Sequence, residues 1–147
     1  MAREKGCQAC NALARGIPLE PQYGYTMNSY LNGDAWDYVP AQYQTTIKEI
    51  KKETQVKEPT NTFYFSEENS WRIVGLSGAG INDNNLRSTP SCTTDCFATF
   101  HRAPGRDRNL GYANAVFVDG HVEQVSAYPA GNTYQLSWPG NKPGPQW

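Results

Sequence analysis

The chain has no run of about 18 or more apolar residues, so no stretch of it reads as a membrane-spanning helix. Charge is sparse: 13 Lys and Arg against 14 Asp and Glu leave a net −1, with no large block of one sign. That argues against nucleic-acid binding through a basic surface, which needs clustered Lys and Arg to neutralise phosphates. There is no Gly-x-Ser-x-Gly elbow and no Cys beside a His, so nucleophile triads find no support. No signal peptide is visible, and Met1-Ala-Arg-Glu-Lys5 is compatible with an artificial start. Internal repeats are also missing.

What is present is 147 residues with 13 Gly, 10 Pro, nine Tyr, five Phe and four Trp. This predicts one domain over 1–147, large enough for its own core, of a loop-rich β or α+β kind. Four cysteines stand as Cys7-x2-Cys10 and Cys92-x3-Cys96. Zinc ligation and two disulfides of open pairing both fit an even count. Disulfides in an oxidising compartment are favoured, because zinc ribbons bring their ligand pairs closer together in sequence. A thioredoxin-like role for Cys7 and Cys10 lacks a preceding strand.

Residues 2–14 are helix formers, and 1–22 is expected to be a short helix or remnant stopped by Pro18 and Pro21. Residues 23–33 are Tyr-rich and strand-like, closed by Asn32-Gly33. Residues 45–56 suggest a short helix or edge piece with Ile47, Ile50 and Val56 as its apolar points. Residues 62–66 predict a buried strand and 71–76 a further one. Residues 77–90 read as a long Gly/Asn-rich loop, and 102–109 as a polar one. Residues 128–147 form an irregular Pro/Trp-rich tail pinned at Trp138.

The most ordered signal is a β-hairpin over 113–126 around Asp119-Gly120. That dipeptide suits a two-residue type I′ turn, pairing Val118 with His121, Phe117 with Val122 and Val116 with Glu123. Phe117 and Val122 would then face the core. Val116 and Val118, beside His121 and Glu123, would form a half-covered face.

Candidate sites each have a plainer alternative. Glu67 and Glu68 follow a strand end and are candidates for acid/base work or Ca²⁺, but adjacent strand residues point to opposite faces and read more simply as solvated acids. His101, Asp119 and His121 are metal-ligand types, yet the turn explains Asp119 and sheet pairing explains His121. Asp83, in Asn82-Asp-Asn-Asn85, lacks the Gly and terminal Glu of an EF-hand. Trp36, Trp71 and Trp138 with Tyr side chains are candidates for a sugar-stacking platform, or else for core.

Four stretches carry a family resemblance. They are Tyr23-Gly-Tyr-Thr-Met-Asn-Ser-Tyr-Leu-Asn-Gly33, Val56-Lys-Glu-Pro-Thr-Asn-Thr-Phe-Tyr-Phe-Ser-Glu-Glu-Asn69, Tyr112-Ala-Asn-Ala-Val-Phe-Val-Asp-Gly-His-Val-Glu123 and Asn132-Thr-Tyr-Gln-Leu-Ser-Trp-Pro139. In that order they resemble the soluble part of bacterial prepilin-like proteins, the type II secretion pseudopilin G-like group. More narrowly, they resemble the prepilin-type processing-associated domain named for a His, nine residues, then Asp-Gly. His101, Asp119, Gly120 and His121 are the residues concerned. More than nine residues separate His101 from Asp119, which implies an insertion around 104–110.

The resemblance implies an α+β pilin-like head dominated by an antiparallel sheet, extracytoplasmic, at the cell surface, in the periplasm or on a secreted filament. It implies a structural subunit of a type IV pilus-like or secretion pseudopilus assembly rather than an enzyme. Contacts with copies of itself or other pilins, and with the membrane, would run through an apolar N-terminal helix that these residues do not include. Pseudopilins of this group often hold a structural Ca²⁺, though no residue here matches that motif; no other cofactor is expected. The alternative is an extracellular carbohydrate-binding or adhesive module using aromatic loops to bind glycans.

Overall fold

A computed structural model of the chain describes residues 25–33, 35, 38–48, 50–71, 73, 76, 85–90, 95–107 and 109–147. The expected N-terminal helix, with Cys7 and Cys10, lies outside the described residues, as do Trp36, Asp83 and Cys92. The strands are β1 (Thr26–Asn28), β2 (Phe63–Ser66), β3 (Asn85–Leu86), β4 (Tyr112–Phe117) and β5 (Val122–Ser126). They form one sheet in the order β3-β1-β2-β4-β5. All neighbours are antiparallel except β1 and β3, which run parallel. With the helices α1 (Ser29–Asn32), α2 (Ala41–Lys48) and α3 (Asn132–Ser137), this is an α+β fold on a mixed sheet.

Several expected elements are shorter or different. Among its described residues, 25–33, the Tyr-rich stretch is strand only over β1, because the Asn28 side chain accepts from the Tyr30 N–H and caps α1. β2 is not buried throughout. Its register against β4 slips between Phe63 and Phe65, a bulge that turns Tyr64 and Phe65 outward while Phe63 and Ser66 stay buried. Trp71, Ile73 and Leu76 carry no strand. Leu86, expected in a loop, belongs to β3, and the tail contains α3.

Strands β4 and β5 pair as Val116↔Val122, Ala115↔Glu123 and Ala113↔Val125, one residue away from the expected register. Gly120 N–H donates to Phe117 O and Phe117 N–H to His121 O, so the turn is a three-residue loop. Only Gly120 takes a positive φ, at 89°; Asp119 does not, which rules out type I′. The Asp119 carboxylate instead accepts from the His121 N–H two residues on, holding Asp119 in an Asx-type turn. A slip of one residue reverses every β5 side chain. Val122, expected in the core, is therefore 65% exposed, and Val125 is buried in its place.

Among the described residues two hydrophobic clusters result. One lies on the sheet, where Phe63, Phe97, Ala113, Ala115, Phe117 and Val125 pack together. The other gathers the helices: Tyr30 of α1, Ile47 of α2 and Tyr134 of α3, with Trp138 just beyond α3. Tyr30 and Trp138 meet edge to face at 5.4 Å. Burial raises the Tyr30 phenol well above its ordinary range, and its hydroxyl donates to Ser88 O at 2.6 Å.

Candidate functional site

The four motif residues divide between the two ends of β4. His101 forms an isolated bridge with Tyr112, where β4 begins, whereas Asp119, Gly120 and His121 occupy the turn beyond Phe117. At about 3.3 Å per residue the groups are held apart by the length of the strand. At the turn, His121 Nδ1 lies 2.6 Å from Asp119 Oδ1, and its ring stacks on Phe117 at 4.4 Å. The hydrogen bond from His121 holds the Asp119 carboxyl below the usual carboxylate range.

At the other end, His101 meets Glu67. Its Nε2 lies 3.0 Å from both carboxylate oxygens. A carboxylate only accepts, so Nε2 bonds to it in the tautomer that carries the proton there, and to the Asn114 amide nitrogen in the one that does not. The Asn114 N–H donates to the same carboxylate at 2.7 Å, and the Asn114 side chain comes within 3.0 Å of Nε2. The sequence reading of Glu67 and Glu68 as solvated acids is therefore corrected: Glu67 is 8% exposed and Glu68 fully buried. The chain continues past β2 beneath residues 97–101, with Ala98 N–H bonded to Glu67 O and Glu68 bridged to Phe97, which covers both acids. A carboxylate orienting an imidazole is part of a hydrolytic constellation, but among the described residues no hydroxyl or thiol is bonded to that ring. The cluster serves to clamp residues 98–101 onto β2 and β4.

Among the described residues, no three His, Cys, Asp or Glu side chains group closely enough to hold a metal ion. Cys96 is buried with its thiol free, while Cys7, Cys10 and Cys92 lie outside the described residues. Burial pushes its thiol up to about 12, with the carboxylates of Glu68 and Asp95 adding to the shift. Trp138 is 2% exposed and belongs to the aromatic core, so it takes no part in a surface platform. Trp71 packs against the sheet core with its ring 5.4 Å from Phe100.

One recess among the described residues was not anticipated. A cleft of about 650 Å³ opens between α1, the end of α2, Tyr64 of β2 and Val118 in the turn after β4. Ile47, Ile50, Val56, Tyr64 and Val118 supply its apolar lining, while Lys48, Lys51, Lys52 and Glu53 supply its charge. α2 ends at Lys48, and a single 3₁₀ turn follows at Glu53–Gln55. The Gln55 side-chain oxygen accepts from the N–H groups of Lys51 and Lys52 at 2.7 and 2.9 Å, fixing the backbone of both lysines at the mouth. Tyr64 enters the lining because the β2 bulge turns it away from the sheet core. A signal was present in the sequence: Ile47 and Ile50 at helical spacing, interleaved with lysines.

No protein-family model, curated protein or solved structure matches this chain.

Proposed function

We propose that the chain is the extracytoplasmic head of a pilin-like subunit, in a type IV pilus-like or type II secretion pseudopilus assembly, without catalysis of its own. The observation that supports this reading is where the resembling stretches fall. The first contains β1, the second contains β2, and the third contains β4 with its turn. These strands are successive neighbours in the sheet, so the resemblance covers one hydrogen-bonded unit. The finer pilin-like architecture, with β4 and β5 as a displayed C-terminal hairpin, is part of the same proposal.

The function on this reading is shape. The head presents loops such as 102–109, exposed around the turn Pro104–Arg106, at a filament surface. An apolar N-terminal helix of the family kind would supply the membrane anchor and the polymer contacts. Among the described residues no helix is long and apolar enough to cross a membrane. The glycan-binding alternative loses one of its three tryptophans to the core and is not pursued.

Immunogold labelling of the native cells tests the proposal. Label on surface or periplasmic filaments is the expected result, and label confined to the cytosol overturns it. The 147 residues alone should sediment as a monomer at micromolar concentration. Filaments assembled from them alone would overturn the role given to the helix.

A further inference from the structure

We propose that the cleft between the end of α2, Tyr64 of β2 and the turn after β4 binds a small amphipathic organic anion, with its apolar body on the floor and its acidic head between Lys51 and Lys52.

Size is the first argument. About 650 Å³ lies within the range of roughly 300–1,000 Å³ typical of small-molecule sites. The lining chemistry is the second. Ile47 and Val56 are buried at 4% and 5% exposure, so the floor is set by the core and does not collapse into the recess. Tyr64 and Val118 form the opposite wall from the bulged end of β2 and the turn after β4. Burying an apolar body against these side chains stabilises the complex in proportion to the area removed from water.

Charge distribution is the third argument. Among the described residues the lining has three lysines, Lys48, Lys51 and Lys52, and one acid, Glu53. Both Lys51 and Lys52 are exposed at the mouth, on a backbone held by Gln55. A ligand anion there gains charge-assisted hydrogen bonds to two ammonium groups whose main chain is already ordered. A neutral hydrophobe forgoes that gain, and a bare phosphate leaves the floor wet. A cation is repelled. An acidic head on an apolar ring or short chain satisfies both halves of the cleft.

The test uses two fluorescent probes of similar body: 1-anilinonaphthalene-8-sulfonate, which is anionic, and N-phenyl-1-naphthylamine, which is neutral. The anionic probe should bind the 147-residue protein saturably at one site. The double reversal Lys51→Glu/Lys52→Glu should weaken it by about tenfold or more while leaving the neutral probe within about twofold. Val118→Glu, at the opposite wall, should weaken the anionic probe as well. Circular dichroism confirms that each variant is folded. An unchanged affinity for the anionic probe in the double reversal overturns the proposal, as does binding at several sites without saturation. Binding of a polyacidic peptide without binding of the anionic probe would overturn the small-molecule assignment.

Discussion

The Asn28 side-chain amide donates to the Ser137 carbonyl at 2.8 Å, across 109 positions of sequence. The same nitrogen donates to Phe63 O at 2.8 Å, and the Asn28 oxygen accepts from the Tyr30 N–H at 3.0 Å. One fully buried side chain thus caps α1, holds β2 and satisfies a carbonyl in the last turn of α3, where intrahelical donors run out.

Asn28→Asp tests this directly, because it keeps the shape and the cap acceptor but removes both donors. It sets a carboxylate against two carbonyl oxygens, and should cost about 3 kcal/mol or more in urea unfolding. A loss below about 1 kcal/mol would show that the two carbonyls do not depend on Asn28.

Two glycines should respond for different reasons. A Cβ on Gly111 would collide with Thr99 O and stand 2.7 Å from His101 O, both backbone atoms that cannot easily move. Gly111→Ala should therefore cost about 2–3 kcal/mol through overpacking. Gly120 faces open space, but its φ of 89° is costly for an L side chain, so Gly120→Ala should cost about 1 kcal/mol. Thermal or urea unfolding that reverses this order would refute the close approach at Gly111.

Glu67→Ala removes the acceptor shared by His101 and the Asn114 N–H. A loss of about 2 kcal/mol is expected, with faster amide exchange at Asn114. Unchanged exchange there would show that the clamp does not hold this part of β4.

Lys142 donates to the carbonyls of Gln135 and Trp138 at the end of α3. Burial pushes its ammonium down to about 8 from the ordinary 10.5, with Glu58 acting in the opposite direction. The folded value lies below the unfolded one, so between these two pH values the unfolded chain holds more protons. The contribution of this group to stability is lowest below pH 8 and rises as pH climbs towards 10.5. The stability difference between wild type and Lys142→Met should grow across that window; a flat difference would refute the shift.

Cys96 shows the opposite sign. Its thiol is raised from the ordinary 9.0 to about 12, so the folded state keeps a proton that the unfolded state releases. Its contribution is complete below 9.0 and is lost as pH rises towards 12. Iodoacetamide at about pH 8 should spare Cys96 in the native protein and label it in urea, read by peptide mass. Rapid native labelling would refute the burial.

Much of the local structure was legible before folding was considered. β2 and β4 follow from runs of aromatic and β-branched residues, and a chain reversal at Asp119-Gly120 follows from the need for one positive φ. The turn type was not legible. Asp-Gly serves both a two-residue loop and a three-residue one, and the choice was made by the Asp119 carboxylate bonding to His121 and by the His121 ring stacking on Phe117. That choice carried the β5 register with it and exchanged Val122 for Val125 in the core. The capping role of Asn28 lies in its immediate neighbourhood, but its bonds to Phe63 and Ser137 do not.

The candidate sites divide in the same way. Glu67 and Glu68 looked solvated because nothing near them in sequence announces the segment 97–101 that covers them. The cleft was visible only as scattered Ile and Lys between 47 and 56, since its far wall comes from Tyr64 and Val118. What the amino-acid sequence determined by itself is what depends on backbone conformation and near neighbours: which runs extend, where the chain turns and where α1 begins. Tertiary structure alone decided register, the burial of two carboxylates and the shape of the cleft, because each depends on partners that only folding brings within contact distance.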